Sequence, residues 1–352
     1  MSDQHGSTGG GEVYAQSPIP LGNGTFTPDG RLVVSHHPMY KTPERVSVFT
    51  SSDTLVPFPN ADWNTPRAGS EEWLDAVLGL RTDTAGRIWL LDMGTRSNIT
   101  PKFVIWDCHA DALARVLRLP QSVLNSHSEP NDFVIDERHG AVYIADEGAG
   151  NGGDGSVAAL IVVDIATGRA RRRLQGRLGI RSEDRPIIVD GRELVRTEDD
   201  GERIRMRVGV DGIALDHAGE WLYYGPMTGD AIWRLRTVDL LDESLDDDTL
   251  EQRAERYSDR PNTGGMWMDA AGDLYLTEVA GSSVGCIPAA DRRYRRILTR
   301  DDLYWPDGIM PGPGRAIYVV VSQLPHAPPL NGGGEKCGEP PFVVVRFWPY
   351  TM

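Results

Sequence analysis

The hydrophobic and polar positions of the chain repeat one pattern six times. Each copy contains a short apolar run, a tight turn built on Gly, and a second apolar run, which carries an aromatic residue in all copies but the first. Successive turn glycines lie 42 to 79 residues apart, at Gly30, Gly86, Gly140, Gly219, Gly272 and Gly314. Alternating apolar runs around a Gly turn are typical of a β-hairpin. The chain therefore predicts six hairpins of one kind.

Six similar hairpins at this spacing favour an all-β fold, a six-bladed β-propeller in which each blade has four strands. A sandwich with six accidental hairpins is the alternative. We expect residues 1–18 to be a flexible N-terminal segment and residues 19–352 to form a single propeller domain. The β-rich run at residues 342–349 is expected to close the ring by pairing with an N-terminal segment, since closure protects sheet edges.

Two insertions interrupt the repeat. Residues 175–207 are rich in Arg, Asp and Glu and include a small predicted hairpin. Residues 238–257 contain helix-forming residues behind a candidate cap, Ser244 or Asp246, and predict a short exposed helical insertion between blades. Their acidic run is interpreted as a solvated face.

The amino-acid composition of the chain narrows the class of molecules that it is expected to bind. The net charge is −15, which disfavours nucleic acid and anionic membranes as partners. The first residues show no leader-like apolar run, and no stretch of the chain is long and apolar enough to span a membrane. We expect a soluble, cytoplasmic protein that acts on a small molecule, with its oligomeric state left open. Three widely spaced cysteines predict buried thiols rather than disulfides or a zinc site: Cys108, Cys286 and Cys337.

Aligning the six repeats places one residue per blade in a column at the start of the inner strand. Its members are Gly22, Leu78, Asn131, Asp211, Gly264 and Asp307. In a propeller the inner strands surround the central channel, so these positions converge. Asn131, Asp211 and Asp307 offer hard oxygen donors, which suit Ca²⁺ or Mg²⁺. A second column of aspartates, three residues before the turn glycine, fits turn capping: Asp83, Asp136, Asp216 and Asp269.

Several motifs together resemble the major royal jelly protein and Yellow family, in its bacterial branch. They are "FPNADWN", "GLRTDTAGRIWLLDMG", "PNDFVIDERHGAVYIADEG", "GVDGIALDHAGEWLYYGPM" and "WPDGIMPG", which follow one another in order along the chain. The resemblance implies a six-bladed propeller related in architecture to calcium-dependent gluconolactonases. It implies varied activities as well, since the family includes tautomerases, ligand-binding proteins and members called lactonases.

The gluconolactonase pattern, carried over by this resemblance, implies that Asn131, Asp211 and Asp307 hold a metal. Two positions depart from what the resemblance implies. Gly22 stands where a metal-binding Glu is expected, and Gly264 stands where an Asp is usual. These departures predict a changed substrate, a changed metal shell or lost catalysis.

The leading hypothesis is an enzyme of the central channel, in which Asp211 and Asp307 act as catalytic groups beside a divalent cation. Metal-assisted lactone hydrolysis and tautomerisation or isomerisation of a cyclic carbonyl compound both fit. The alternative is a non-catalytic propeller that binds a small ligand and holds a structural ion. Candidate substrate-binding residues lie in two loops, and they are Asn60, Asp62, Trp63, His127 and Glu129. Trp63 as a loop anchor, and His127 and Glu129 as members of a solvated loop, are the alternative interpretations.

Overall fold

A computed structural model describes residues 10–198, 201–332 and 338–349. Six antiparallel sheets of four strands form the blades, and the inner strands of neighbouring blades contact one another in a closed ring. The predicted six-bladed β-propeller is therefore confirmed.

The strands are numbered in chain order. β1 (Glu12–Ser17) belongs to blade 6. Blade 1 contains β2 (Gly24–Phe26), β3 (Leu32–Ser35), β4 (Val46–Phe49) and β5 (Leu55–Pro57). Blade 2 contains β6 (Val77–Thr82), β7 (Arg87–Asp92), β8 (Lys102–Asp107) and β9 (Ala112–Arg118), and blade 3 contains β10 (Pro130–Asp136), β11 (Ala141–Asp146), β12 (Ala159–Asp164) and β13 (Ala170–Arg173). An insertion follows with β14 (Ile188–Val189), β15 (Arg192–Glu193), β16 (Val195–Thr197) and β17 (Arg203–Arg205). Blade 4 contains β18 (Val210–Leu215), β19 (Trp221–Pro226), β20 (Ala231–Arg236) and β21 (Glu255–Asp259); blade 5 contains β22 (Thr263–Met268), β23 (Leu274–Glu278), β24 (Ser283–Ile287) and β25 (Arg295–Thr299); blade 6 ends with β26 (Pro306–Pro311), β27 (Ile317–Val321) and β28 (Phe342–Phe347).

Strand β1 closes the ring, because it pairs with β28 as the outermost strand of blade 6. Glu12 lies opposite Arg346 and Ser17 lies opposite Phe342. This confirms the expected pairing of the last strand with an N-terminal segment. It also corrects the predicted domain boundary, since a strand of the propeller lies within residues 1–18 and the ordered domain begins before residue 19.

The aspartates before the turn glycines cap the inner hairpins, as predicted. Asp83 Oδ1 accepts hydrogen bonds from the backbone N–H groups of Ala85 and Arg87, at 3.1 and 2.9 Å. Its second oxygen accepts from the indole N–H of Trp89 at 2.9 Å, so one side chain fixes the turn and the following strand. In blade 3 the hydroxyl of Tyr143 donates to Asp136 at 2.9 Å in the same way.

Helices are few and short in the described residues. They are α1 (Ala61–Asn64), α2 (Thr237–Leu241) and α3 (Asp247–Arg253), with 3₁₀ segments at Pro38–Tyr40, Gln121–Val123, Pro313–Arg315 and Leu324–His326. The insertion after blade 4's third strand forms two helices rather than one. Asp246 caps α3 by accepting from the N–H of Thr249 at 2.8 Å, which confirms one of the two predicted caps. Within the described part of the chain, none of these helices has the length and apolar character needed to cross a membrane.

The cysteines are not paired with one another in the described residues. Cys286 is buried and Cys108 is half-buried, and burial raises the pKa of their thiols to about 12 and about 11. The prediction of buried thiols holds fully for Cys286 and partly for Cys108. Cys337 lies outside the described residues.

Candidate functional site

A β-bulge marks the predicted inward-facing position of the inner strands. In blade 3 the register of β10 against β11 shifts between Pro130 and Asp132, around Asn131. The register shifts at the equivalent place in four further inner strands, around Leu78, Asp211, Gly264 and Asp307. A bulge adds a residue to one strand and re-aims its side chain. Four members of the predicted column accordingly line one small cavity: Leu78, Asn131, Asp211 and Asp307.

The glycine that follows the bulged residue lets the inner strands approach closely. A Cβ on Gly79 would lie 2.6 Å from the carbonyl oxygen of Asn131 in the next blade. A Cβ on Gly212 would lie 2.7 Å from the carbonyl oxygen of Gly264. Both distances are far shorter than a van der Waals contact, so the glycine of the Asp-Gly sequence in blade 4 has a packing role beside its catalytic candidate.

A second inward-facing column comes from the ends of the second strands. His37, Met93 and Glu147 each stand seven residues after the turn glycine of their repeat, and all three line the cavity. None of these three residues is among the site residues predicted from the sequence. Aligning the repeats at the C-terminal end of the second strand, as was done for the first strand, would have found Glu147.

Asn131, Glu147 and Asp211 form a hydrogen-bonded cluster at the channel axis. The amide Nδ2 of Asn131 donates to Asp211 Oδ1 at 2.7 Å and also to Glu147 Oε1. All three side chains are buried. Residues from blade 3 and blade 4, far apart in sequence, are thereby joined into one site.

Two carboxyl groups of this cluster, Glu147 and Asp211, have raised pKa values. Burial, reinforced by the charge of Asp211, raises the pKa of Glu147 well above its ordinary value. Burial, reinforced by the charge of Asp307, likewise raises the pKa of Asp211. The interaction between the two side chains raises the pKa of Glu147 further and opposes the upward shift of Asp211.

Asp307 completes the acidic cluster from blade 6. Burial raises its pKa to about 7, while a hydrogen bond from Ser322 opposes the shift. His37 Nε2 lies 3.9 Å from Asp307 Oδ2, too far for a hydrogen bond, and burial lowers the pKa of His37 to about 3. The imidazole is therefore neutral at physiological pH and does not neutralise the carboxylate.

The donor atoms of the cluster fit a hard divalent cation. Asn131 Oδ1 and Asp211 Oδ2 are buried without a hydrogen-bond partner, although buried polar atoms are normally satisfied. Within the described residues no group of three or more His, Cys, Asp or Glu side chains has metal-binding geometry, so the fit rests on a mixed amide and carboxylate set. Such oxygens are the ligands that Ca²⁺ and Mg²⁺ prefer.

The loop at residues 58–64 does not contribute to the site, which corrects the prediction for its three candidates. Asn60 is exposed and caps α1 by accepting from the N–H of Trp63 at 3.1 Å. Asp62 is exposed. Trp63 is buried in an apolar cluster between blades 1 and 2, where it anchors the loop. None of the three lines the central cavity.

The second predicted loop contributes one residue of two. Glu129 lines the cavity, and burial raises its pKa to about 6. The backbone N–H of Glu129 donates to Asp146 Oδ1 at 2.7 Å, which fixes the loop to β11. His127 does not line the cavity; its Nδ1 lies 3.1 Å from the carbonyl oxygen of Gly150 in a neighbouring loop.

The two departures from the gluconolactonase pattern have different surroundings. A Cβ at Gly22 would collide with the side chain of Leu78, so Leu78 occupies the space of a first-blade ligand. Asn23 does not replace that ligand, because its Oδ1 accepts from the N–H of Gly24 at 2.8 Å. At Gly264 a Cβ would lie 3.2 Å from Val279 Cγ1 and 3.4 Å from Asp307 Oδ1, so a side chain at that position would lie beside the cluster.

A lid covers the cavity. We define it as residues 188–198 and 201–208, which comprise β14 to β17 and the segment that leads into blade 4. Met206 and Val208 line the cavity, while the backbone N–H of Thr197 donates to the carbonyl of Pro329 in the loop after β27 at 2.7 Å. The enclosed volume is only about 40 Å³. The charged insertion between blades 3 and 4 therefore presents apolar side chains to the cavity and closes it.

The opposite end of the channel holds a separate cavity of about 660 Å³, and no described residue lines both cavities. Arg81, in the wall of this larger cavity, forms an ion pair at 2.6 Å with Asp132, the neighbour of Asn131. The acidic cluster therefore belongs to the closed end of the channel.

Two enzymes of known structure have the same fold. A gluconolactonase from Xanthomonas campestris superposes with a TM-score of 0.57 at 12% identity, over 96% of this chain and 88% of that chain. A luciferin-regenerating enzyme superposes with a TM-score of 0.59 at 10% identity, over 96% of this chain and 95% of that chain. At these identities the similarity shows the fold alone.

Sequence comparison identifies the family. Major royal jelly protein 6 of Apis mellifera is 23% identical over 243 residues, which cover 66% of this chain and 51% of that protein. The chain thus spans about half the length of this relative. The profile of the family described as major royal jelly protein matches residues 76–310, well over half of the chain and most of both inward-facing columns. The chain belongs to the major royal jelly protein family.

Proposed function

We propose that this protein is a small-molecule enzyme that carries out acid–base chemistry on a cyclic ester or cyclic carbonyl compound beneath the lid. The observation that supports it most directly is the cluster of the buried Asn131, Glu147 and Asp211 with the half-buried Asp307, drawn from three blades onto one cavity. Bringing several carboxyl groups together away from water is unfavourable for folding. Clusters of this kind, with shifted pKa values, are typical of functional sites.

Asp307 is suited to be the general base or acid. Because burial raises its pKa to about 7, it exchanges protons readily at neutral pH. Glu147 and Asp211, whose pKa values are raised by burial, are suited to deliver a proton to the reacting oxygen or carbon. In lactone hydrolysis these groups would deprotonate water and protonate the leaving oxygen. In tautomerisation they would remove a proton at one atom and deliver one at another.

Asn131, Asp211 and Asp307 are the residues that would hold a divalent cation. A bound cation supplies Lewis-acid polarisation of a carbonyl oxygen or acidification of water. Asn131 would also orient the cluster, because its amide joins Glu147 and Asp211.

The comparisons support an enzyme more than they define a reaction. One fold neighbour is named as a gluconolactonase and another as a luciferin-regenerating enzyme. We infer from these names and from the acidic cluster that lactone hydrolysis comes first among the candidate reactions, with tautomerisation second.

A binding protein with a structural ion is the second candidate. The closed cavity of about 40 Å³ favours it, since that volume holds an ion or a water and no ring compound until the lid moves. In that case the cation would stabilise the fold and no turnover would be seen.

The deciding experiment measures turnover of a panel of lactones and enolisable cyclic ketones, with Ca²⁺, with Mg²⁺ and with chelator. We expect Asp211→Asn and Asp307→Asn to reduce kcat/KM roughly 100-fold or more, the size of a lost acid–base group. Asp62→Asn, at an exposed position of α1 outside the cavity, is the matched control. Full activity in both site variants would exclude the proposed chemistry, and a cation-dependent melting temperature without turnover would favour the binding protein.

A further inference from the structure

A second cavity adjoins the acidic one and has the opposite charge. It is open to solvent, has a volume of about 660 Å³, and shares three lining residues with the acidic cavity: Pro38, Met39 and Glu129. Its wall also carries three cationic side chains, those of Lys41, Arg45 and Arg96. Among the described residues, Glu129 contributes the only carboxyl group to this wall. We call this cavity the cationic pocket.

Two guanidinium groups of the cationic pocket are held on one backbone oxygen. Nη1 of Arg96 donates to the carbonyl of Thr42 at 2.7 Å, and Nη1 of Arg45 donates to the same carbonyl at 3.4 Å. Burial, reinforced by the charge of Arg45, lowers the pKa of Arg96 to about 10. Both groups remain charged at neutral pH, so two like charges stay close together in the wall of the pocket.

Neither guanidinium group has a carboxylate partner in the described part of the chain. Asp75 and Asp92 act on Arg96 through their charge, yet both are used elsewhere. Asp75 accepts from the backbone N–H and the hydroxyl of Ser97 at 2.9 and 2.7 Å, and Asp92 pairs with a lysine of β8. Nε and Nη2 of Arg96 and Nε of Arg45 are buried without a hydrogen-bond partner. Buried polar atoms are normally satisfied, so the pocket lacks a negative charge and acceptor atoms.

The donors of the cationic pocket favour a carboxylate over a phosphate. Phosphate sites are commonly built from the backbone N–H groups of Gly-rich loops and helix N-termini. The described lining of this pocket contains no glycine and includes three prolines, which have no backbone N–H: Pro38, Pro43 and Pro329. Recognition therefore depends on side chains, and a guanidinium group matches the two oxygens of a carboxylate.

We propose that the cationic pocket binds the carboxylate of a small-molecule substrate, with the uncharged part of the substrate turned toward the acidic cavity. A bound carboxylate supplies the charge and the acceptor atoms that the pocket lacks. The acidic cluster repels the same carboxylate, so the two neighbouring cavities fix the direction in which the molecule lies. This inference rests on the proposed function and adds a substrate class to it, carbonyl compounds that carry a carboxylate. Because the cationic pocket is open, the carboxylate binds there without movement of the lid.

The first test measures binding apart from turnover. The full chain is freed of divalent cations by dialysis, so that no carboxylate binds through a metal ion. It is titrated in a calorimeter with 3-oxocyclopentane-1-carboxylate and with the corresponding carboxamide, which have the same ring and differ in charge. We expect the carboxylate to bind at least about tenfold more tightly, the value of one hydrogen bond between charged groups. Equal affinities would overturn the inference, and tighter binding of inorganic phosphate would overturn the choice of a carboxylate.

Two variants test the assignment of the cationic side chains. Arg96→Gln should weaken binding of the carboxylate about tenfold and leave binding of the carboxamide unchanged. Arg96→Gln also loses the hydrogen bond to Thr42, so its melting temperature is measured beside the affinity. Lys41→Gln changes an exposed residue that holds no other element in place, and it should weaken binding of the carboxylate about threefold.

Arg118→Gln is the matched control for charge. Arg118 is exposed on β9 of the same blade as Arg96 and lies outside the cationic pocket, so this variant removes one positive charge without touching the site. We expect its affinity for the carboxylate to equal that of the wild type. Unchanged affinity in both pocket variants, or an equal loss in Arg118→Gln, would overturn the assignment.

Turnover separates this inference from the proposed function. 5-Oxotetrahydrofuran-2-carboxylate is a lactone that carries a carboxylate, and its carboxamide is the neutral counterpart. We expect KM to be about tenfold lower for the carboxylate and Arg96→Gln to remove that difference. Equal KM values with turnover of both lactones would overturn the inference and leave the proposed function standing. Carboxylate binding that depends on Arg96, without turnover of either lactone, would support the cationic pocket as a carboxylate site although the enzyme proposal fails.

Discussion

The side-chain amide of Asn131 donates a hydrogen bond of 2.7 Å to Oδ1 of Asp211, across the 80 residues that separate them in sequence. The bond leaves Asn131 Oδ1 and Asp211 Oδ2 without partners inside the cavity. Two unsatisfied oxygens beside further carboxyl groups make a site of strongly negative potential. Binding of a proton or of a cation lowers the free energy of such a site. The predictions about the site follow from the competition between protons and cations for it.

Ca²⁺ or Mg²⁺ should stabilise the protein through this site. A ligand that binds only the native state at 100 times its Kd adds about 2.7 kcal/mol to the free energy of unfolding, which raises the melting temperature by several degrees. We expect the shift to be much smaller in Asn131→Ala and Asp211→Asn, as measured by calorimetry with and without chelator. Asp62→Asn should keep the full shift, and an equal shift in all variants would place the cation elsewhere.

The stability of the chelated protein should respond to pH through Asp307. Its pKa is about 7 in the native state, against an ordinary value of 3.8, so the native state holds a proton that the unfolded state releases between those values. The contribution of Asp307 to stability is therefore lost as pH rises from about 4 to about 7. Asp307→Asn, which has no charge to bury, should gain stability relative to the wild type over that window.

Urea unfolding of both proteins at pH 5, 6, 7 and 8 measures this difference. The opposite contribution of His37, whose pKa of about 3 lowers stability as pH falls below its ordinary 6.5, is present in both proteins and cancels. A difference independent of pH would show that Asp307 is ionised throughout.

Gly264→Asp should create a site that binds the cation more tightly and is less stable without it. A side chain at this position starts 3.4 Å from Asp307 Oδ1, so the new carboxylate adds charge to the cluster. Tightness of Ca²⁺ sites increases with ligand charge. Calorimetric titration should show a lower Kd and thermal unfolding in chelator a lower melting temperature at pH 8. Gly264→Asn adds a side chain of nearly the same size without the charge, so it separates the effect of the charge from the effect of the added volume.

The buried ion pair of Lys102 and Asp92 should be sensitive to loss of either member. Their charged atoms lie 2.7 Å apart and both side chains are fully buried. Asp92 also accepts hydrogen bonds from the backbone N–H groups of Asp75 and Ala76, at 3.0 and 2.8 Å, and so holds the segment that enters blade 2. Lys102→Met should lower the free energy of unfolding by about 3–5 kcal/mol. Asp92→Asn with Lys102→Met should recover part of that loss, and a mild effect of Lys102→Met alone would contradict the prediction.

The fold was predictable because its information is local and repeated. Each hairpin carries its own turn glycine, and an aspartate such as Asp136 fixes the turn and the next strand with one side chain. The column of Asn131, Asp211 and Asp307 was predictable for the same reason, since equivalent positions in a ring of equivalent hairpins face one axis. Their proximity to one cavity follows from symmetry.

The features of the site that could not be predicted depend on packing between segments outside the repeated hairpins. Trp63 offered an aromatic ring beside polar residues, yet its ring is buried between two blades, and no local signal distinguishes that position from the channel mouth. The lid could not be recognised from the sequence, because charged residues dominate its composition. Its buried apolar residues, Leu194, Met206 and Val208, become significant only when the fold packs them together and places Met206 and Val208 in the cavity wall.

Ring closure has a consequence for the order in which the site is made. Asp307 belongs to blade 6, and that blade needs β1 and β28, strands separated by nearly the whole described chain. In a chain that folds as it is synthesised, we expect Asn131 and Asp211 to be in place before Asp307, which lies farther along the chain in the blade that closes the ring. The mutually repelling carboxyl groups of the cluster would then come together late in folding.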